Sequence, residues 1–205
     1  MKIKICGLFR NEDIEYANKT LPDYVGFVFA KSKRQINRDT AADFRGRLDG
    51  SIKVVGVFVN GDIDFIAGLA NDSLIDLVQL HGDEDEEYVR RLRGLIPESV
   101  KIIKAFSVSE KSDVINAERF PTDYILLDNG RGGTGKAFSW DILKDNMPGR
   151  VFLAGGINPE NIKDAAALAP YCIDVSSGAE TDGVKDFDKI AGLVSAVRNT
   201  GKDRF

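Results

Sequence analysis

Short apolar runs of strand length recur along the chain at Ile3–Cys6, Tyr24–Phe29, Ile52–Val59, Leu77–Leu80, Val100–Ala105, Tyr124–Leu127, Val151–Ala154 and Cys172–Val175. Between them the apolar positions change period. Ile63, Ile66, Leu69 and Ala70 fall on one helix face, as do Tyr88, Val89, Leu92 and Leu95, and Phe187, Ile190, Ala191, Val194 and Val197. Leu168 closes a further helix before Pro170, while Val114–Phe120 and Trp140–Leu143 carry the shortest helical patterns. The alternation predicts eight strands, each followed by a helix. Strands this apolar bury both faces, which implies a parallel sheet covered by those helices. Eight such units in so short a chain predict a minimal closed (β/α)8 TIM barrel, with a doubly wound open sheet as the competing α/β architecture. No Pro-, Gly- or Ser-rich linker divides the sequence, so residues 1–205 are expected to form one catalytic barrel domain.

Composition narrows the function classes. Of the 205 residues, 43% are hydrophobic and 29% charged, an ordinary balance for a globular domain. No run approaches the ~20 apolar residues that span a bilayer, and the N-terminus enters a strand pattern with no room for a signal peptide. A cytoplasmic protein without a membrane partner is expected. The two cysteines, Cys6 and Cys172, lie in apolar runs and predict separate thiols. A net charge of −4 without a dense Lys/Arg tract argues against nucleic-acid binding. Any anion must then be held locally, by backbone N–H groups and a few placed cations. The acidic run from Asp83 to Glu87 precedes a helical pattern, where carboxylates favour the positive end of the helix dipole. With one histidine in the chain, a structural role is expected for that run, and no metal site.

In barrels of this kind the chemistry collects at the C-terminal ends of the strands. Alternation puts Ile3 and Ile5 on one face of the first strand and Lys4 and Cys6 on the inner one. In the sixth, Tyr124, Leu126 and Asp128 share the inner face, so Cys6 and Asp128 both point into the mouth, as an acid/base pair requires. Three glycine-bearing loops follow strands six, seven and eight: Gly132-Gly133-Thr134-Gly135, Gly155-Gly156-Ile157-Asn158 and Ser176-Ser177-Gly178. Backbone amides in such loops can cradle a phosphate. Asn158-Pro159-Glu160 has the form of a helix N-cap with Pro at the first helical position, so a helix is expected to start beside Gly156.

These residues also carry a resemblance. Lys4-Ile5-Cys6-Gly7-Leu8, Gly26-Phe27-Val28-Phe29, Ser32-Lys33-Arg34, Val55–Asn60, Val78-Gln79-Leu80-His81-Gly82, Leu127-Asp128, the glycine loops and Asp174-Val175-Ser176-Ser177-Gly178 run in the motif order of phosphoribosylanthranilate isomerases, and the sequence resembles that family from end to end. The resemblance implies an Amadori rearrangement in tryptophan biosynthesis, with Cys6 as general base and Asp128 as general acid. It implies that Arg34 meets the anthranilate end of the substrate, that Asp174 helps hold the substrate, and that the glycine loops hold its phosphate. Phe9, Lys33 and Ala179 depart from the family pattern, the first two beside active-site loops. The expected partner is a small phosphorylated substrate, with no cofactor and no nucleic acid, and the chain is expected to work as a monomer or homodimer.

The chemistry sets electrostatic requirements. Asp128 must be held protonated well above the carboxylate reference of about 3.9, and Cys6 lowered from about 8.5. Lys4, two residues before Cys6 on the same face, is expected to stabilise the thiolate. Cys172 and His81 are expected to be a buried thiol and a supporting side chain.

Overall fold

A computed structural model describes residues 1–128, 140–144 and 147–200. Eight parallel strands close in sequence order: β1 (Lys2–Cys6), β2 (Tyr24–Val28), β3 (Lys53–Phe58), β4 (Leu77–Leu80), β5 (Lys101–Ser107), β6 (Tyr124–Asp128), β7 (Val151–Leu153) and β8 (Cys172–Val175). Closure comes from β1, which pairs with β2 on one side and β8 on the other. The helices are α1 (Asn11–Thr20), α2 (Arg38–Arg47), α3 (Ile63–Asn71), α4 (Glu86–Arg93), α5 (Lys111–Arg119), α6 (Ile162–Ala167) and α7 (Phe187–Thr200). After β8 the chain makes a 3-10 turn and a small antiparallel hairpin, β9 (Glu180–Thr181) and β10 (Val184–Lys185), before α7.

The two-sided burial of the strands is visible in two separate apolar clusters. Ile3, Ile5, Ile125, Leu127, Ile173 and Val175 join the layer between barrel and helices, whereas Cys6, Val55, Leu77, Leu126, Phe152 and Cys172 belong to the barrel interior. The floor of the interior is aromatic. Phe152 lies 5.5 Å from the Tyr24 ring, 5.4 Å from Tyr124 and 5.6 Å from Tyr171. The tyrosine hydroxyls satisfy one another, Tyr24 to Tyr171 at 2.9 Å and Tyr124 to Tyr171 at 3.2 Å. A floor of interlocked rings leaves the opposite end, at the strand C-termini, as the open one.

Three expectations need correction. Among the described residues, β6 is followed by one turn of 3-10 helix, Trp140–Leu143, and not by an α-helix. That apolar patch is too short to fix the hydrogen-bond period, and four residues suit the tighter helix. Leu95 is 45% exposed, because α4 ends where the Gly94 N–H turns back onto the Arg90 and Arg91 carbonyls. The Asn158 side chain caps a turn, accepting from the Glu160 and Asn161 amides, so α6 starts only at Ile162, away from Gly156.

The acidic run is structural. Asp85 caps α4 by accepting from the Tyr88 amide, and Glu86 and Glu87 occupy the first turn. Glu84 turns inward, accepts from the Asn60 and Gly82 amides and lies 3.4 Å from Lys104, tying the loop after β3 to the one after β4. The interior makes one stability prediction. Phe152→Ala opens a cavity at a fully buried ring and should cost about 3–5 kcal/mol in urea unfolding. Phe65→Ala, at a side chain 40% exposed, should cost markedly less. A loss below ~1 kcal/mol for Phe152→Ala would contradict this account of the floor.

Candidate active site

Cys6 ends β1 and Asp128 ends β6, so both stand at the open mouth, on walls separated by intervening strands. Cys6 is 9% exposed, whereas the Asp128 side chain is 32% exposed. Cys6 pairs in register with Gly26 of β2, and a Cβ at Gly26 would lie 2.7 Å from the Cys6 sulfur. The glycine therefore makes room for the thiol on the inner face.

Beneath the mouth lies a chain of buried polar groups. Lys4, fully buried, sits opposite Asp174 in the β1–β8 register and donates to Asp174 Oδ2 at 2.7 Å and to Gln79 Oε1 at 2.8 Å. An ammonium has only donors, so it fixes the Gln79 amide oxygen on its own side. The Gln79 nitrogen then faces His81 Nδ1 at 3.0 Å and can only donate to it. His81 Nδ1 is thus an acceptor, and the ring proton of neutral His81 is on Nε2, which looks toward Asp128 Oδ2 at 3.9 Å. The His81 side chain is 38% exposed, and the desolvation it does feel holds the imidazole below its ordinary pKa against the opposing pull of Asp128.

The charges act on Cys6 in opposing directions. Burial pushes the thiol up, Lys4 pulls it down, Asp174 pushes it up again and Lys185 pulls it down. Burial wins, so the resting Cys6 thiol lies above its ordinary value, contrary to the expected net lowering. Lys4 does act on Cys6 in the expected sense. Burial is the strongest single effect on Lys4 and works against its charge, but Asp174 and Cys6 together outweigh it and the ammonium stays charged. One Asp174 oxygen, Oδ1, is buried without a hydrogen-bond partner among the described residues.

Arg34 is engaged with a carboxylate that the sequence reading did not pair with it. Its Nε donates to Glu180 Oε1 at 2.6 Å and its Nη2 to Glu180 Oε2 at 2.7 Å. Buried Lys185 donates to the same Glu180 Oε1 at 2.7 Å and to the Ser176 carbonyl at 3.0 Å. Glu180 and Lys185 belong to β9 and β10, so both functional groups were missed with their hairpin. The signal was present: Asp182-Gly183 joins the two short strands with φ of 52° and 81°, the paired positive values of a type I′ turn.

The glycine loops after β7 and β8 come together. Gly155 and Gly156 both have positive φ, at 93° and 66°, and a Cβ at Gly178 would lie 1.9 Å from the Ile157 carbonyl oxygen. Only glycine permits that approach, which brings Ser176 and Ser177 alongside the β7 loop. Gly132, Gly133, Thr134 and Gly135 lie outside the described residues.

Known proteins share this sequence pattern and this barrel. Residues 3–196 match the model of the N-(5'phosphoribosyl)anthranilate (PRA) isomerase family. The N-(5'-phosphoribosyl)anthranilate isomerase of Endomicrobium trichonymphae is 49% identical over 203 residues, covering 97% of this chain and 98% of its own. The crystal structure of the Thermotoga maritima phosphoribosyl anthranilate isomerase superposes with a TM-score of 0.85 at 36% identity, covering 97% and 99% of the two chains. A phosphoribosyl anthranilate isomerase in complex with reduced 1-(o-carboxyphenylamino)-1-deoxyribulose 5-phosphate gives 0.83 at 34% identity, again over 97% and 99%. With the family model matched almost from end to end and relatives near half-identical, the chain belongs to the N-(5'-phosphoribosyl)anthranilate isomerase family.

Proposed function

We propose that the protein converts N-(5-phosphoribosyl)anthranilate to 1-(2-carboxyphenylamino)-1-deoxyribulose 5-phosphate, the isomerisation step of tryptophan biosynthesis. The observation that supports this reading is a thiol, Cys6, and a carboxyl, Asp128, at the C-terminal ends of β1 and β6 of a family barrel. Asp128 protonates the furanose ring oxygen as the C1′–O bond breaks, and the arylamine nitrogen supplies the electron pair that forms the iminium. Cys6, as thiolate, takes the C2′ proton, and the C–H electron pair neutralises the iminium to give the enolamine. Tautomerisation to the ketone completes a rearrangement that is redox-neutral overall.

The remaining residues divide the substrate between them. Arg34 is the carboxylate-binding fork for the anthranilate ring. The unpartnered Asp174 Oδ1 supports a hydrogen bond from a sugar hydroxyl, since a buried carboxylate oxygen is costly to leave unmatched. The touching loops of Gly155, Gly156, Ser176, Ser177 and Gly178 are the phosphate cradle, together with Gly132, Gly133, Thr134 and Gly135 of the loop after β6. The phosphate anchor draws its donors from loop amides and hydroxyls, because α6 begins too far along the chain to offer its first turn.

Two experiments test the chemistry. With substrate generated in solution, decay of anthranilate-type fluorescence should be accelerated by the wild type and slowed by about 10²–10⁴-fold in Cys6→Ala and in Asp128→Asn. Wild-type rates in either variant would remove that residue from the mechanism. The second uses pH. Activity requires the Cys6 thiolate, so kcat/KM rises with pH through the thiol pKa, which burial sets above its ordinary value. Lys4 lowers that pKa, so Lys4→Met must move the rising limb to higher pH. An unmoved limb would show that Lys4 does not tune the base.

A further inference from the structure

We propose that Glu180 is a positioning residue that aims Arg34 and so makes the site selective for substrates bearing an aryl carboxylate. The inference rests on the assignment of Arg34 to the anthranilate end.

A guanidinium has two edges that can each grip a carboxylate by two parallel N–H bonds. Glu180 occupies the edge formed by Nε and Nη2, at 2.6 and 2.7 Å. Among the described residues the end-on edge, formed by Nη1 and the second hydrogen of Nη2, makes no other hydrogen bond, so it can receive another carboxylate. Charge is arranged so that Glu180 does not quench the arginine. Lys185 lies 2.7 Å from Glu180 Oε1, and Lys33 lies 3.8 Å from Oε2, so one carboxylate faces three cations. The cluster keeps a net positive charge for the incoming anion.

The support is rigid. Glu180 is 8% exposed and Lys185 is 2% exposed. The hairpin that carries them is fastened by Lys189 to the Glu180 carbonyl at 2.6 Å and by Arg10 to the Lys185 carbonyl at 2.9 Å. The Arg34 stem crosses directly over Gly7, where a Cβ would lie 2.5 Å from Arg34 Cδ, next to Cys6 in sequence. A long side chain that would otherwise sample several rotamers is thus held in one direction beside the base, and the ordering cost is met before substrate arrives.

The test compares two substrates prepared from ribose 5-phosphate, one with anthranilate and one with aniline, which lacks the carboxylate. Glu180→Ala should raise KM for the carboxylated substrate about 10-fold or more, with a smaller effect on kcat. The aniline-derived substrate, followed by chromatography, should change less than ~3-fold. Glu180→Gln, with one acceptor oxygen in place of two, should fall between. Equal losses on both substrates would mean that the hairpin is merely structural, and a lowered KM would mean that Glu180 competes with substrate; either overturns the proposal. Arg34→Met separates the two layers of the argument. If it retains wild-type selectivity, the assignment of Arg34 itself fails. If it loses selectivity while Glu180→Ala keeps it, only the role of Glu180 fails.

Discussion

Barrel closure sets Lys4 of β1 against Asp174 of β8, beside Gln79, in an interior lined mainly by apolar side chains. A lysine fully removed from water is held there by the carboxylate 2.7 Å away and the Gln79 amide oxygen at 2.8 Å, which compensate its lost hydration. Breaking such a pair by removing one partner typically costs about 3–5 kcal/mol, since the survivor remains buried and charged. From this pair the polar order of the mouth follows. Lys4 dictates the amide orientation of Gln79, Gln79 dictates the tautomer of His81, and His81 presents its N–H toward Asp128. A group on the first strand therefore determines what the acid on the sixth strand faces.

The same pair explains why the thiol is not simply activated. Lys4 favours the thiolate, but Asp174, bound to Lys4, opposes it, and the dry barrel wall penalises any net charge at Cys6. The resting enzyme keeps a protonated thiol whose pKa balances a large burial effect and Asp174, which raise it, against Lys4 and Lys185, which lower it. Such a balance is sensitive to whatever enters the mouth, because displaced water and an added phosphate or carboxylate alter every part of it.

How much of this was legible in the sequence depended on the range of the interaction. The strands were legible because two-sided burial leaves uninterrupted apolar runs, and the inward direction of Lys4, Cys6 and Asp128 followed from alternation alone. The start of α6 was not, because the Asn158 side chain can cap a turn as well as a helix, and the choice was made by Asn161, which accepts from the Asn158 amide. Nor was the state of Arg34 legible: its partner Glu180 lies 146 positions away, in strands of two residues that leave almost no periodic signal. The direction of the Cys6 shift failed for a related reason. Spacing identified the cation beside the thiol, but not Asp174 behind it or the depth of burial around both.

The β1–β8 seam also has a kinetic meaning. Lys4 and Asp174 are separated by 170 positions, so their contact closes a loop that takes in all the strands between β1 and β8. During synthesis β1 emerges before the other seven barrel strands, and β8, which completes its hydrogen bonding and neutralises its lysine, emerges after them all. Contacts of such high sequence separation form late and slow the search for the native state. Until then the Cys6 strand is an open edge carrying an unpaired charge, which discourages its premature pairing with other chains. The ion pair beneath the site thus doubles as the latch of the fold: the environment of Cys6 is assembled only when the ring of strands shuts.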